Sequence, residues 1–279
     1  MTTMLALVQL ARGPTMPAQA EFPGSDGLAE SVNPWHGCAR MKLSIIIPAF
    51  NEEKLLPATL AAVREAASVF TAAGWRWELI VCDNNSTDRT AAIATAAGAR
   101  VVFEPVNQIG RARNTGARAA TGEWLLFIDA DSTPHGRLFA RVREHVATAD
   151  VLAGGCVMRT DLRNRLLDGL TALWNRLSRR MKWMAGSFIF CRTEAFRAVG
   201  GFDERLYASE EIELSRRLKR LARQRRQRIV IIAEETLLTS ARKVRLYSGW
   251  ELTKLFLQSF LMPWLTLRRK QAYWYDGRR

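Results

Sequence analysis

Trp-Leu-Leu-Phe-Ile-Asp-Ala-Asp, residues 124–131, is the stretch that decides the fold of this chain. Its five consecutive apolar residues, rich in aromatic and branched side chains, predict a strand buried on both faces. Asp129 and Asp131 follow at once, separated only by Ala130. We therefore place both carboxylates at the carboxyl end of a strand, where open α/β sheets bind their ligands. A turn that merely ends the strand is the alternative, because aspartate is common in turns.

Two carboxylates held side by side repel each other unless a cation lies between them. Mg²⁺ and Mn²⁺ prefer oxygen ligands of this kind and usually share them with the phosphates of a substrate. Asp131 and Asp129 are therefore the candidate metal ligands, with Mg²⁺ or Mn²⁺ as the expected cofactor.

The composition is that of a globular protein with an excess of positive charge. The chain has 279 residues, of which 48% are hydrophobic and 24% charged, and its formal net charge is +14. Such a charge predicts an anionic partner: a nucleotide, a nucleic acid or a membrane surface. Much of the excess lies between Arg216 and Arg228, where eight of thirteen residues are basic. A solvated helix face explains that run equally well.

Cysteine usage and hydropathy together predict a cytoplasmic protein. The four cysteines are far apart and form no C-x-x-C motif, which favours a reducing compartment. No run reaches the roughly 18 to 20 apolar residues of a membrane span. The apolar stretch Leu255–Leu267 precedes Arg268-Arg269-Lys270. It is expected either to pack on the rest of the chain as a helix or to lie peripherally at the inner face of the membrane.

Strands and helices alternate through the first half of the chain. Strands are predicted at Leu43–Ile47, Trp77–Cys82 and Arg100–Phe103, with residues 124–128 as the fourth. The spacing of about 25 residues predicts an α/β fold with a doubly wound, mostly parallel sheet and helices on both faces. No G-x-G-x-x-G follows the first strand, so a dinucleotide site of the usual kind is not supported.

The starts of the first two helices carry capping signals. Asn51 is expected to cap the first helix, with Glu52 and Glu53 in its first turn. Ser86 or Thr87 is expected to cap the second, which follows the loop that begins at Asp83.

The second half is predicted as a helix at 134–148, a strand at 151–158, a helix at 162–184, a short strand from Gly186 and a last strand at 228–233. The helix at 162–184 has an apolar stripe, which core packing explains: Leu166, Leu170, Leu173, Trp174 and Leu177. Its other face is rich in arginine. A helix that covers a substrate site or touches a membrane would explain that basic face.

Five short motifs, in this order and at these strand ends, resemble the family-2 glycosyltransferases of the GT-A fold. They are Pro48-Ala49-Phe50-Asn51-Glu52-Glu53, Asp83-Asn84-Asn85-Ser86-Thr87-Asp88, Ala112-Arg113-Asn114-Thr115-Gly116, Asp129-Ala130-Asp131, and Gly200-Gly201-Phe202-Asp203-Glu204 followed by Glu210-Glu211. The resemblance covers about residues 43–223. Each motif alone is weakly specific, whereas five in order are strongly specific.

The resemblance implies transfer of a sugar from a nucleotide diphosphate donor, with inversion at the anomeric carbon. The implied nucleotide-binding residues are Pro48, Ala49, Phe50, Asn51 and Glu52 around the nucleoside, Asp83 at the base, Arg113 near the nucleotide, and Asp129, Ala130 and Asp131 at the ribose and the metal-bridged diphosphate. Gly186 and Ser187 are the candidate acceptor-side residues.

The expected domains and partners follow. Residues 1–40 are predicted to be a disordered extension and 41–235 a GT-A catalytic domain, with its nucleotide-binding part at about 41–131 and its acceptor part at about 132–235. Residues 236–279 are predicted to be a helical tail, packed on the domain or at a membrane surface. The expected partners are a nucleotide-sugar donor and an acceptor that is a saccharide, a lipid or a small molecule, with peripheral membrane contact and no nucleic acid.

Two other classes of protein compete with this interpretation. A nucleotidyltransferase would need a loop rich in glycine and basic residues after the first strand, where this chain has Pro48-Ala49-Phe50-Asn51. A basic protein that binds nucleic acid or anionic lipid is supported by the net charge and would lose affinity steeply with salt.

The catalytic base is expected among the glutamates that begin the helix after the last motif. An inverting transfer needs one carboxylate to take the proton of the acceptor hydroxyl. At 100° per residue, the apolar residues of that helix give a buried direction about 35° from Glu211, 65° from Glu210 and 125° from Glu213. Glu211 is therefore the predicted base and Glu210 the second candidate, with partial burial raising the pKa of Glu211.

Overall fold

The computed structural model describes residues 41–162 and 164–240, so the predicted extension and nearly all of the predicted tail, with its apolar stretch, lie outside the described residues. Within them, eight strands form one sheet: β1 Lys42–Ala49, β2 Arg76–Asp83, β3 Arg100–Phe103, β4 Trp124–Ile128, β5 Ser132–Thr133, β6 Val151–Thr160, β7 Phe188–Arg192 and β8 Arg228–Thr239. The helices are α1 Leu56–Ala72, α2 Thr90–Ala96, α3 Ile109–Ala119, α4 Gly136–Val146, α5 Arg165–Met181, α6 Thr193–Ala198 and α7 Glu210–Gln224. None of the described helices is long and apolar enough to cross a membrane.

The strand order of the sheet is β3-β2-β1-β4-β7-β6-β8-β5. The first four strands in this order are parallel to one another, as consecutive strand–helix units require. β7 runs antiparallel to both of its neighbours, β4 and β6, and β6 is parallel to β8. The predicted α/β fold with a mostly parallel sheet is therefore confirmed, with β7 as a reversed strand beside β4.

The apolar run of β4 is buried on both faces because side chains alternate along a strand. Trp124, Leu126 and Ile128 join the core under α1 and α4, while Leu125 and Phe127 join the core under α3, α6 and α7. The two cores confirm that helices cover both faces of the sheet.

The predicted cap of the first helix is wrong. α1 begins only at Leu56, its N-cap residue Leu55 makes no side-chain cap, and its first turn contains no acidic residue. Asn51 instead lies in the preceding loop with φ +52°, where its side chain accepts a hydrogen bond from another loop. The start of α2 also differs, because Asp88, rather than Ser86 or Thr87, accepts the hydrogen bond from the Thr90 backbone N–H at 2.9 Å.

The last strand is longer than predicted, because β8 continues past Ala233 to Thr239. Residues 233–235 fall at a shift in the β6–β8 register, after which pairing resumes. The charges of Glu234 and Glu235 therefore mark a bulge in the strand and not its end. The predicted domain boundary between residues 235 and 236 falls within this strand, and the division into domains stays a prediction.

The apolar stripe of α5 does not pack into the core as predicted. Leu166 is 49% exposed and Leu173 45% exposed, and Ser178 is the buried residue of the helix. The periodicity correctly indicated an amphipathic helix. The face that α5 turns to the sheet is centred near Ser178, with the half-buried Leu167 and Trp174 beside it, and not on Leu166 and Leu173.

Candidate active site

The predicted site residues come together at one edge of the sheet. Asp83 ends β2, and Asp129 follows β4 directly. Because β7 is antiparallel to β4, with Ile128 paired to Phe188, the segment before β7 reaches this same edge. The Ser187 carbonyl accepts a hydrogen bond from the Asp129 backbone N–H at 3.4 Å, so the segment after β4 and the segment before β7 are in direct contact.

The loop after β1 is locked to the loop after β2. The Asn51 backbone N–H donates to Ser86 Oγ at 3.0 Å, and the Thr87 backbone N–H donates to Asn51 Oδ1 at 2.8 Å. The buried Glu52 donates its backbone N–H to Thr90 Oγ1 at 2.8 Å. Pro48 and Ala49 are the last, buried residues of β1, and Phe50, which follows them, is half-buried. Contacts within the protein thus fix the shape of the loop that the sequence analysis predicted to bind the nucleoside.

Asp83 is largely buried at the start of the second loop. It is 6% exposed, and its Oδ1 accepts a hydrogen bond from the Ser86 backbone N–H at 3.1 Å. This contact is the turn role of aspartate at a strand end. The carboxylate therefore shapes the loop, and its predicted contact with the base stays a prediction.

Arg113 of α3 connects the segment after β4 to the segment before β7 and to the start of α7. Its Nη2 donates to Asp129 Oδ1 and to the Gly186 carbonyl, both at 2.9 Å, and its Nη1 donates to Glu210 Oε1 at 2.8 Å. The guanidinium also lies 5.2 Å from the centre of the Phe202 ring. Arg113 is only 2% exposed, and its predicted place near the nucleotide stays a prediction. It acts as a positioning residue for the carboxylates around it.

Glu210 and Glu211 differ from the sequence-based expectation in their burial. Glu210 is 4% exposed, whereas Glu211, which was predicted to face the fold more closely, is half-buried. The apolar stripe of α7 did not reveal this, because Arg113 reaches across from α3 and draws Glu210 inward. Burial, and then the negative charge of Glu210, raise the pKa of Glu211 to about 8, although Arg113 acts in the opposite direction.

Asp129, Ala130 and Asp131 form the corner where the chain leaves β4. Asp129 is half-buried and gives Oδ1 to Arg113, while the carbonyl of the buried Ala130 accepts from Thr59 Oγ1 at 2.8 Å. Asp131 is half-buried, and its carbonyl accepts from the Ser240 backbone N–H at 3.1 Å.

This corner suits a metal ion that takes most of its ligands from substrate phosphates and water. Among residues 41–162 and 164–240, no group of three or more histidine, cysteine or acidic side chains could hold a metal alone. Mg²⁺ and Mn²⁺ accept one or two carboxylates and complete their shells with substrate phosphates and water. Asp131 therefore stays the first candidate ligand predicted from the sequence, and Asp129, which pairs with Arg113, the second.

Gly186 and Ser187, the residues predicted for the acceptor side, lie at the same corner. A side chain at Gly186 would come within 3.0 Å of Arg113 Nη2, so glycine keeps the approach of the guanidinium open. Ser187 is buried, and its Oγ has no hydrogen-bond partner among the described residues. A buried hydroxyl without a partner is costly, which marks this atom as a place for a ligand to bind.

The sequence interpretation missed Asn114, although it quoted the motif that contains this residue. Asn114 Nδ2 donates to the Phe202 carbonyl and Oδ1 accepts from the Phe202 backbone N–H, both at 2.9 Å. The turn that it clamps contains Gly201 at φ +70°, where an added Cβ would lie 2.6 Å from Asn114 Oδ1. The sequence feature that could have identified Asn114 is a single amide side chain among the small residues of α3, next to Arg113.

A sheet of this topology, with paired carboxylates after β4 and at the start of α7, defines a protein of the GT-A fold class. Residues 44–200 match the model of the family described as glycosyl transferase family 2. That match covers more than half of the chain, and the chain belongs to this family.

Several relatives come from mycobacteria. An uncharacterized glycosyltransferase of Mycobacterium bovis is 42% identical over 113 residues, which cover 40% of this chain and 47% of the relative. A PGL/p-HBAD biosynthesis glycosyltransferase of the same species is 34% identical over 129 residues, which cover 42% and 47%. The chain thus matches about half the length of these curated relatives.

Solved structures share the fold at lower identity. Residues 1–349 of Staphylococcus aureus TarS, in complex with UDP-GlcNAc, have a TM-score of 0.57 at 20% identity, covering 72% of this chain and 58% of that TarS chain. Glucosyl-3-phosphoglycerate synthase from Mycobacterium tuberculosis, in complex with Mn²⁺, UDP and glucosyl-3-phosphoglycerate, has a TM-score of 0.57 at 22% identity, covering 79% and 77%.

Proposed function

We propose that this chain transfers a sugar from a nucleotide diphosphate sugar to an acceptor hydroxyl, with inversion at the anomeric carbon and with a divalent metal at Asp131. The observation that carries the proposal is the single guanidinium of Arg113, which holds Asp129 on the donor side and Glu210 on the acceptor side within hydrogen-bond distance. The half-buried Glu211 lies beside this pair.

Each group in the site has a role in this reaction. Glu211 takes the proton of the acceptor hydroxyl while the hydroxyl oxygen attacks the anomeric carbon. The bond from that carbon to the diphosphate oxygen breaks, and the nucleoside diphosphate leaves with the electron pair. A metal at Asp131 would supply positive charge for the leaving diphosphate. Attack from the face opposite to the leaving group inverts the anomeric centre.

The donor assignment is supported by the nucleotides that the structural neighbours hold. TarS is in complex with UDP-GlcNAc, and the mycobacterial synthase is in complex with Mn²⁺ and UDP. We therefore propose a nucleotide-sugar donor, bound by the loop from Pro48 to Glu52, by Asp83 and by the corner from Asp129 to Asp131. Family membership favours this function over a nucleotidyltransferase or a nucleic-acid-binding protein.

We also propose a reducing, cytoplasmic location. Cys82, Cys156 and Cys191 are free and buried, and burial raises the pKa of each thiol. Such thiols behave as small apolar core residues, which fits a compartment where disulfides do not form.

Release of nucleoside diphosphate from a panel of nucleotide sugars, with Mn²⁺ or Mg²⁺ and candidate acceptors, tests the proposal directly. Asp131→Asn and excess chelator should each abolish turnover while the fold persists. Asp150→Asn is the matched control, because Asp150 precedes β6, at the sheet edge opposite to the site. Full activity of Asp131→Asn would refute the metal role, and retention of the donor's anomeric configuration in the product would refute inversion.

A further inference from the structure

Helix α5 exposes a continuous apolar strip. Leu166, Leu173 and Met181 are 49%, 45% and 36% exposed, and Leu170 and Leu177 are half-buried. At 100° per residue these five side chains fall within a sector about 80° wide. We call this set the α5 strip.

The helix is held to the protein by a different face. Ser178 is buried, and Asn175 exchanges hydrogen bonds with the Met158 backbone of β6 at 2.8 and 3.1 Å. This face is centred about 130° from the α5 strip. Packing against the sheet therefore does not explain why the strip is apolar.

Arginines border the α5 strip on its outer side. Arg180, Arg176 and Arg165 follow the strip around the helix, at about 60°, 100° and 120° from its centre. Together with Arg179 they make four positive charges in α5 against one negative charge, that of Asp168. Leucines flanked by arginines are the pattern of a helix that lies in a membrane interface, with its apolar side chains among acyl chains and its cations on anionic headgroups.

The strip also lies next to the acceptor side of the site. α5 ends at Met181, Ser178 Oγ donates to the Trp183 carbonyl at 2.6 Å, and the chain reaches Gly186 within five residues of the helix end. A surface bound by α5 would therefore lie close to the corner where the acceptor hydroxyl must bind.

We propose that the α5 strip docks on an anionic membrane surface, and that the acceptor is a hydroxyl carried by a lipid in that membrane. The docking is independent of the proposed sugar transfer, whereas the class of acceptor rests on it. The net charge of +14 acts in the same direction, because it attracts the whole chain to an anionic surface.

Co-sedimentation of the full chain with vesicles tests the docking without any need for turnover. Binding is expected to vesicles of equal parts phosphatidylglycerol and phosphatidylcholine, and to be much weaker to phosphatidylcholine alone. The double variant Leu166→Glu/Leu173→Glu should weaken binding by about tenfold or more, since two buried leucines are lost. Arg176→Gln should weaken it by about fivefold. Phe103→Glu is the matched control, because Phe103 is 58% exposed on β3, outside the strip, and this variant should bind like the parent.

Each other outcome overturns the docking. The proposal fails if the parent chain does not bind anionic vesicles or if the double variant binds them as well as the parent. If the double variant instead loses self-association, the strip is an interface between copies of the chain. If its only change is a lower melting temperature, the chain itself covers the strip.

Nucleotide binding of the double variant, measured by calorimetry without vesicles, should equal that of the parent. If neither form binds a nucleotide, the proposed function fails while the vesicle result still stands.

Discussion

Glu210 and Glu211 are neighbours in sequence with opposite surroundings. Glu210 is paired with Arg113 at 2.8 Å and is enclosed by the fold. Glu211 is half-buried, and the neighbouring negative charge raises its pKa further above the usual range than burial alone would. A carboxylate committed to an ion pair is a poor proton acceptor, so we assign the base to Glu211 and the anchoring of Arg113 to Glu210.

Replacing each glutamate by glutamine should separate these two roles. Glu211→Gln keeps the shape and removes the base, so turnover should fall by roughly 10²- to 10⁴-fold with donor binding retained. Glu210→Gln weakens the ion pair with Arg113 and should lower the free energy of unfolding by about 1–3 kcal/mol. Steady-state kinetics, donor calorimetry and denaturant unfolding measure these effects. An active Glu211→Gln beside a folded but inactive Glu210→Gln would move the base one residue earlier.

The raised pKa of Glu211 predicts how both rate and stability depend on pH. The folded-state pKa is about 8, against an ordinary value of 4.5. The base works only when ionised, so kcat/KM should rise with pH and level off above about pH 8. Between those two pKa values the folded state binds more protons at this site than the unfolded state, so the contribution of Glu211 to stability falls as pH rises.

Glu211→Gln removes the titrating group and provides the control for this pH dependence. The stability profile of the variant should be flatter between pH 4.5 and 8 than that of the parent. A parent kcat/KM that already levels off near pH 5 would contradict the assignment of the raised pKa to the base.

At the scale of the elements, α3 organises the site, because polar residues on this helix and directly before it form hydrogen bonds with several other segments. Arg113 binds three of its neighbours, Asn114 clamps the turn at Phe202, and Gln108 donates to the Leu206 carbonyl at 2.6 Å. The helix must therefore approach the sheet closely. Gly116 permits this approach, since a Cβ there would lie 2.4 Å from Ile46 Cγ2.

Gly116→Ala and Gly169→Ala should change stability in opposite directions. At Gly116 the added methyl forces Ile46 to move within a packed core, which should cost about 1–3 kcal/mol. At Gly169 of α5 no atom lies within 4 Å of the added methyl, so the better helix propensity of alanine should add up to about 1 kcal/mol. Urea unfolding of both variants measures the difference. A Gly116→Ala variant as stable as the parent would mean that α3 does not need this close approach.

At the scale of the whole molecule, ligand binding should raise the melting temperature in a metal-dependent way. A ligand that binds only the folded state at about 100 times its dissociation constant adds about 2.7 kcal/mol of stability. We expect nucleoside diphosphate with Mn²⁺ to stabilise the parent, and chelator or Asp131→Asn to remove most of the effect. Thermal-shift measurements over a panel of nucleotides test this expectation and identify the nucleobase of the donor. A shift that survives in chelator would show that the diphosphate binds without a metal.

The strands and the acidic residues at their carboxyl ends could be predicted from the sequence, because both follow from patterns among neighbouring residues. The run at Trp124–Ile128 alternates between two cores, and polar residues end the strands beside the site. It did not predict the partners of Asn51 or Arg113, because their contacts come from loops and helices distant in sequence. For the same reason, the leucines of α5 were assigned to the core, since periodicity identifies an amphipathic face but not what covers it.

The residues proposed for the donor and those proposed for the acceptor lie in two successive segments of the chain, which we call the first and the second cassette. The reversal of β7 beside β4 is what brings the two cassettes together. Groups proposed for the donor all precede Ser132, and groups proposed for the acceptor, with the α5 strip included, all follow Thr160. The antiparallel pairing of Ile128 with Phe188 brings the two parts of the chain together at one corner. A chimera that exchanges the second cassette should change acceptor choice and leave nucleotide choice alone. The exchange is restricted by Arg113, because any incoming cassette must bring a carbonyl at 186 and a carboxylate at 210 for that one guanidinium to hold.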